Sequence, residues 1–226
     1  MKVDTNSRIQ AVIFDMDGVL VDTELYYMQQ SIAWLREEEG IVLPAETFLA
    51  AVGAAGDTRW NIMREHLPTS WTRERYRDAF RAYLAAHPIN YTKMLFQGVR
   101  QALETLKKGG YRLAVATSSP IEKAKNMLES CDMQHFFELV LTQNDITATK
   151  PDPEIYLTCL KKMGLTADMC VVVEDSSIGI QAAKRAGMCV FARRENRFPM
   201  DQSNADIIFE DYSDLYKWIC QLNSQC

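Results

Sequence analysis

Histidine is scarce in this 226-residue chain, with only His66, His87 and His135. None of them stands near a cysteine pair, and no two cysteines form a C-x-x-C pair. A zinc site of the usual ligand spacing is therefore not expected. No apolar run approaches the ~18 residues that a membrane-spanning helix needs. The segment from Met1 to Gln10 holds Lys2, Asp4, Asn6 and Arg8 without an apolar stretch, so no secretory signal is expected. Basic excess is lacking too: 25 Lys and Arg against 30 Asp and Glu give a formal net charge of −5. That balance argues against general binding to nucleic acid or to an anionic membrane. Cys131, Cys159, Cys170, Cys189, Cys220 and Cys226 are then expected as reduced thiols, mostly core filler, in a cytoplasmic protein.

What is present is ordinary for a folded domain: 47% hydrophobic and 24% charged residues. The length allows one large domain or a core with one insertion. Short apolar runs recur, each ending in polar residues. They are Ala11–Phe14 before Asp15, Leu113–Ala116 before Thr117, Leu139–Leu141 before Thr142, Cys170–Val173 before Glu174, and Cys189–Ala192 before Arg193. Ile207–Phe209 is a weaker sixth. Continuous apolar runs of this length predict strands buried on both faces. Between them lie helical patterns: Val99, Leu103 and Leu106; Ile121, Ala124, Met127 and Leu128; Ile155, Leu157, Leu160 and Met163; Ile180, Ala183 and Ala186. Alternation of this kind predicts βαβ units and an α/β parallel sheet of Rossmann-like type. Ligands of such sheets bind at the C-terminal strand ends, where the polar clusters fall.

From about Asp22 to Thr92 the rhythm breaks. Helices are predicted over Met28–Glu39, Ala45–Val52, Thr58–His66 and Thr72–Ala86, separated by Gly40, Gly53, Gly56, Pro68 and Pro88. We expect a core of residues 1–21 and 93–226, with residues 22–92 as a helical insertion. There is no internal repeat or low-complexity tract.

Four clusters carry chemistry. Asp15 and Asp17 flank Met16 just past the first strand, followed by Gly18. Two carboxylates there converge only if a cation neutralises them, and Gly18 allows close approach of an anion; a solvated turn would use the same residue types. Thr117 and Ser118 offer hydroxyl and backbone N–H groups for a phosphate, or simply cap a helix before Pro120. Lys150, ahead of Pro151-Asp152-Pro153, is a point charge for a phosphate or a surface lysine. Glu174 and Asp175 form a second acidic pair, suited to Mg²⁺ or to capping the next helix. Together they compose one site with Mg²⁺, a phosphate cradle and a nucleophile.

Val12–Thr23 (VIFDMDGVLVDT), Ala116–Pro120 (ATSSP), Thr149–Pro153 (TKPDP) and Val173–Ile180 (VEDSSIGI) resemble, in order, the four motifs of the haloacid dehalogenase-like hydrolases. The helical insertion is similar to the cap of the branch containing β-phosphoglucomutase, phosphoglycolate phosphatase and small sugar phosphatases. The resemblance implies Asp15 as nucleophile forming an aspartyl-phosphate, and Asp17 as general acid and then base. It implies Mg²⁺ held by Asp15, the Asp17 carbonyl and Asp175, with Glu174 nearby or through water. Gly18, Thr117, the Ser118 N–H and Lys150 would bind the phosphoryl group. The implied activity is Mg²⁺-dependent hydrolysis of a small phosphorylated metabolite, sugar phosphates included. A phosphomutase is the alternative within enzymes, although Tyr27 stands where β-phosphoglucomutases carry a histidine and Gly53-Ala-Ala-Gly56 where they carry an arginine. A receiver-like phosphate-binding or signalling module is the alternative of another class. Monomer and homodimer are both compatible with the sequence.

In the insertion, Arg73, Arg77 and Arg81 share a helix face, with Arg59 and Arg64 nearby. Attraction of an anionic substrate is one reading; a solvated face paired with Glu74 and Asp78 is the preferred one. Trp60 and Trp71 are expected in a core.

Overall fold

The computed structural model describes residues 9–51 and 56–224. Six strands form one sheet: β1 (Ala11–Phe14), β2 (Arg112–Ala116), β3 (Leu139–Leu141), β4 (Cys170–Glu174), β5 (Cys189–Arg193) and β6 (Ile207–Phe209). Their order is β3-β2-β1-β4-β5-β6 and every pairing is parallel. All four residues of β1 are buried, as a central strand covered on both faces requires. Ala11 and Ile13 enter a cluster with Tyr156, Cys159, Ile180 and Ala183. Val12 and Phe14, directed oppositely by the period of two, are buried as well.

Helices α1 (Thr23–Glu37), α2 (Ala45–Ala51), α3 (Gly56–Arg64) and α4 (Arg73–Ala86) follow β1, and then come α5 (Tyr91–Met94) and α6 (Val99–Lys108). The crossovers continue with α7 (Ile121–Ser130), α8 (Glu154–Met163) and α9 (Ser177–Arg185), and α10 (Leu215–Ser224) closes the fold. Among the described residues from 22 to 92 there is no strand. The α8 pattern needs one correction. Leu157, expected on the buried face, is 48% exposed, whereas Tyr156 and Cys159 are fully buried. Ile155, Tyr156, Cys159, Leu160 and Met163 are the positions that a 3.6-residue period places on one stripe.

The chain divides into two compact units: Met1–Val21, Tyr91–Glu195 and Asp201–Cys226 in one, Asp22–Asn90 and Asn196–Met200 in the other. In the helical unit, Trp34 is 1% exposed. It packs its ring 5.8 Å from Trp71, 5.3 Å from Tyr76 and 5.3 Å from Phe80. Trp71 is buried and Trp60 packs beside the same cluster, so both tryptophans serve the core. Arg197 joins this unit through a two-point pair with Asp22 at 2.6 and 3.0 Å. That contact spans 175 residues and no local pattern announces it. Arg77 pairs with Asp78 at 2.9 Å, and Arg75 lies over the Trp71 ring near Glu39. The Gly53-Ala-Ala segment of the insertion lies outside the described residues, as does Cys226. Cys131, Cys159 and Cys170 are buried free thiols, and Cys189 and Cys220 are half-buried free thiols.

Candidate active site

The sheet order reverses direction at β1, which has β2 on one side and β4 on the other. Such a switch point opens a crevice beyond the strand ends. Register places Phe14 beside Val115 and Val173. Asp15 therefore leaves the sheet level with Ala116 and Glu174, and the Asp15 N–H still bonds the Val173 carbonyl at 2.9 Å. The chain then coils tightly: the N–H groups of Val19, Leu20 and Val21 all reach the Met16 carbonyl. Gly18 turns with φ +80°, and a Cβ there would meet Asp175 Oδ2 at 2.0 Å. Only glycine lets the first loop lie against that carboxylate.

Three carboxylates, Asp15, Glu174 and Asp175, gather with ligand atoms within 4.8 Å of one another, and all three are buried. Lys150 sits among them, 5% exposed. Its Nζ donates to Asp15 Oδ1 at 2.7 Å, Glu174 Oε1 at 2.7 Å and the Ala116 carbonyl at 3.0 Å. Those contacts use all three ammonium donors. Lys150 therefore orients the Asp15 carboxylate, and it can meet a phosphoryl oxygen only by exchanging a bond. Glu174 is committed too. Its Oε1 also accepts from the Tyr156 hydroxyl at 2.8 Å. Its Oε2 accepts from the N–H groups of Asp175 and Ser176 and from the Ser176 hydroxyl, at 3.0, 3.2 and 3.1 Å. With both oxygens engaged, Glu174 holds Lys150 and the β4–α9 turn. Asp15 and Asp175 are the other two carboxylates of the cluster that could contact a metal. Ser176 also caps α9, accepting from the Gly179 N–H at 3.1 Å.

Burial pushes the Asp15 carboxyl up to about 7; Lys150 pulls it down, and Glu174 adds to the rise. Burial pushes Glu174 up as well, but Lys150 and the surrounding donors outweigh it and hold the group below its usual range. Burial opposes the Lys150 charge, yet Asp15 and Glu174 keep it well above the ordinary lysine value. Three buried carboxylates facing one ammonium leave negative charge in a poorly solvating place. An all-oxygen set of this kind fits a hard divalent cation such as Mg²⁺.

Thr117 is buried, its N–H bonds the Leu141 carbonyl, and its hydroxyl accepts from the Ser119 N–H at 3.0 Å. The side-chain cap considered for the helix after Thr117 is not what forms: Pro120 precedes α7 without a side-chain cap bond. Ser118 is exposed. Asp17 is held from α7's side, where Ser119 Oγ donates to Oδ2 at 2.6 Å and Lys123 Nζ to Oδ1 at 2.8 Å.

Further residues brace these loops. Arg193 donates to the Gly18 carbonyl, pairs with Glu195 at 2.9 Å and lies 3.9 Å over the Phe96 ring. Gln202 donates to the Asp175 carbonyl at 2.6 Å, and Tyr212 to the Val19 carbonyl. None of these stood out in the sequence. Gly179 could have: a glycine in the first turn of an amphipathic helix asks for a packing reason. A Cβ there would fall 1.8 Å from Glu174 Oε1.

The haloacid dehalogenase-like hydrolase sequence model matches residues 12–193. The chain belongs to this family. Among its relatives, a phosphorylated carbohydrates phosphatase of Thermotoga maritima is 33% identical over 182 residues, 80% of this chain and 82% of that protein. A phosphoglycolate phosphatase of Mannheimia succiniciproducens is 30% identical over 223 residues, 94% of this chain and 99% of that protein. A solved Thermotoga maritima structure with a provisional β-phosphoglucomutase name superposes with TM-score 0.77 at 27% identity, covering 94% of this chain and 99% of that one. This chain is thus a haloacid dehalogenase-like hydrolase, an enzyme whose buried acidic cluster fits the active site of that family. Membership removes the receiver-like alternative. No helix among the described residues is long and apolar enough to cross a membrane.

Proposed function

We propose that this hydrolase is a Mg²⁺-dependent phosphatase of small phosphorylated metabolites, sugar phosphates among them, acting through an aspartyl-phosphate on Asp15. The observation that carries the reading is the Asp15 carboxylate. It stands at the C-terminal end of the central strand with Oδ1 fixed by Lys150, and Asp175 lies in the same buried cluster. A carboxylate fixed by one oxygen keeps the other for attack on phosphorus. The ester P–O bond breaks as the Asp15 O–P bond forms, and Asp17 gives its proton to the leaving oxygen. Asp17 then takes a proton from water as that water attacks phosphorus, and orthophosphate leaves with Asp15 restored. Thr117, the Ser118 N–H and Lys150 steady the phosphoryl oxygens, beside Gly18. Asp15, the Asp17 carbonyl and Asp175 would hold Mg²⁺, with Glu174 behind Lys150 or reached through water. Bound there, the ion would offset charge on the phosphoryl oxygens and keep Asp15 ionised.

The helical unit of residues 22–90 is the cap of this reading and the place to seek substrate selectivity. The phosphatase names of the relatives favour water as the acceptor. A mutase would share the first half-reaction and pass the phosphoryl group to a sugar hydroxyl, a reading favoured by solved structures with β-phosphoglucomutase names. The buried free thiols support a cytoplasmic setting. The deciding experiment is orthophosphate release from a panel of phosphorylated metabolites with Mg²⁺ and again with a chelator. Multiple turnover that the chelator abolishes is expected; no release from any monoester would overturn the proposal.

A further inference from the structure

We propose that Lys123 is a positioning residue that, with Ser119, fixes the plane of the Asp17 carboxylate; this rests on Asp17 being the acid and base. Each Asp17 oxygen is taken by a different donor: Oδ1 by Lys123 Nζ at 2.8 Å and Oδ2 by Ser119 Oγ at 2.6 Å. A carboxylate held at one oxygen still swings about its terminal torsion, which is broad. Held at both, it does not. Both side chains of the ion pair are largely covered, 22% exposed for Lys123 and 17% for Asp17. A surface pair would be looser and weaker.

The donors come from one rigid platform. Lys123 is the third residue of α7. The chain just before it is tied three ways: the Ser119 N–H to Thr117, the Ser119 carbonyl to the Gln143 N–H, and the Ile121 N–H to the Asn144 side chain. Thr117 belongs to the phosphate cradle of the proposed reaction, so the platform that would hold the phosphoryl group also aims Asp17. The placement is odd for a helix alone. The first turn holds Glu122, as the helix dipole favours, but the cation of Lys123 lies beside it at the dipole's positive end. Departures of that kind gather at functional sites. Asp17, 106 residues earlier, supplies the compensating charge.

The test is a double-mutant cycle of Lys123→Met and Asp17→Asn with saturating Mg²⁺, using glycerol phosphate and nitrophenyl phosphate. Lys123→Met is expected to lower kcat on glycerol phosphate by about tenfold or more, within the range for a weakened acid–base group, and to leave KM within about twofold. In the Asp17→Asn background the same change should alter the rate by less than about twofold, because residues acting as a unit are not additive. Lys123→Arg should recover most of kcat. Should Lys123→Met not fold, Lys123→Gln carries the same cycle. Additive losses, a KM effect that persists without the Asp17 carboxylate, or wild-type kcat in Lys123→Met would each overturn the inference. A wild type that turns over no monoester at all would instead overturn the phosphatase reading, and this inference with it.

Discussion

Gly179→Ala should unfold this protein more easily, although the same change in a helix ordinarily helps. Replacing glycine by alanine inside a helix gains up to about 1 kcal/mol from backbone propensity. Here the new Cβ would fall 1.8 Å from Glu174 Oε1, 2.1 Å from Cδ and 2.3 Å from Oε2. A glutamate end group would normally move aside at little cost. This one is pinned by Lys150, Tyr156, the N–H groups of Asp175 and Ser176, and the Ser176 hydroxyl. Moving it breaks several hydrogen bonds to a charge, each worth about 1.5–3 kcal/mol, and leaves Lys150 short of a buried partner. Partial repacking recovers some of this, so a net loss on the order of 3–5 kcal/mol is expected, within the usual span for disrupting a buried charge pair. At about 2–4 °C per kcal/mol for a chain of this size, the midpoint should fall by roughly 10 °C. The assay is thermal and urea unfolding of Gly179→Ala, repeated in a Glu174→Ala background. There the cavity left by the side chain accepts the new methyl, and Gly179→Ala should become neutral or stabilising. A Gly179→Ala protein as stable as wild type, or an equal loss in both backgrounds, would refute the reasoning.

Asp15→Asn should abolish turnover with the fold intact, because a neutral amide is a poor nucleophile and a poorer metal ligand. Steady-state rates within about tenfold of wild type would sink the assignment. Asp17→Asn should keep Mg²⁺ affinity near wild type and cost about 10²–10⁴ in rate, read by calorimetry and phosphate release on one preparation; joint collapse would mean that the side chain is a ligand. Mg²⁺ affinity should weaken as pH falls below about 7, because the ion competes with the Asp15 proton. The slope approaches about tenfold per pH unit for one proton, and it should flatten in Asp15→Asn. The sign for folding without metal follows. The folded Asp15 carboxyl binds its proton up to about 7 while the unfolded one releases it near 3.8, so this group's contribution to stability falls as pH rises between those values. An affinity that does not vary between pH 5.5 and 8 would contradict the titration.

The sheet was legible because β1, β2, β4 and β5 bury nearly every residue, and burial on both faces writes itself as an apolar run. The helical insertion was legible for the opposite reason, since its apolar residues recur with helical spacing and no run of strand type interrupts them. Asp15, Asp17, Thr117, Lys150, Glu174 and Asp175 could be nominated because strand ends mark where a parallel sheet binds ligands. Their division of labour could not. That Glu174 spends its oxygens on Lys150 and Tyr156, or that Lys123 grips Asp17, depends on residues 18 to 106 positions apart. Such pairs leave no periodic trace. Tyr156 was hidden further by the α8 pattern, in which Leu157 looked like the buried residue and is not.

The electrostatics of the cluster join these strands of reasoning. Lys150 touches Asp15 and Glu174 at equal distances, 2.7 Å, yet the two carboxyls titrate in opposite directions. The difference lies in what else each one meets. Glu174 also accepts four hydrogen bonds from Tyr156 and the Asp175–Ser176 turn, which stabilise its charge. Asp15 is buried too but has Lys150 as its one side-chain donor among the described residues. A carboxylate satisfied on all sides is a poor nucleophile and a good anchor; one that is buried and under-solvated is reactive once a cation restores its charge. On the proposed reaction, two acidic groups less than 5 Å apart would thus serve as a fixed anchor and an attacker. Substituting Tyr156 by Phe removes one of Glu174's donors and should raise the Glu174 carboxyl towards its usual range, read by a carboxyl-resolved titration; a Glu174 titration unmoved by the change would refute this division of roles.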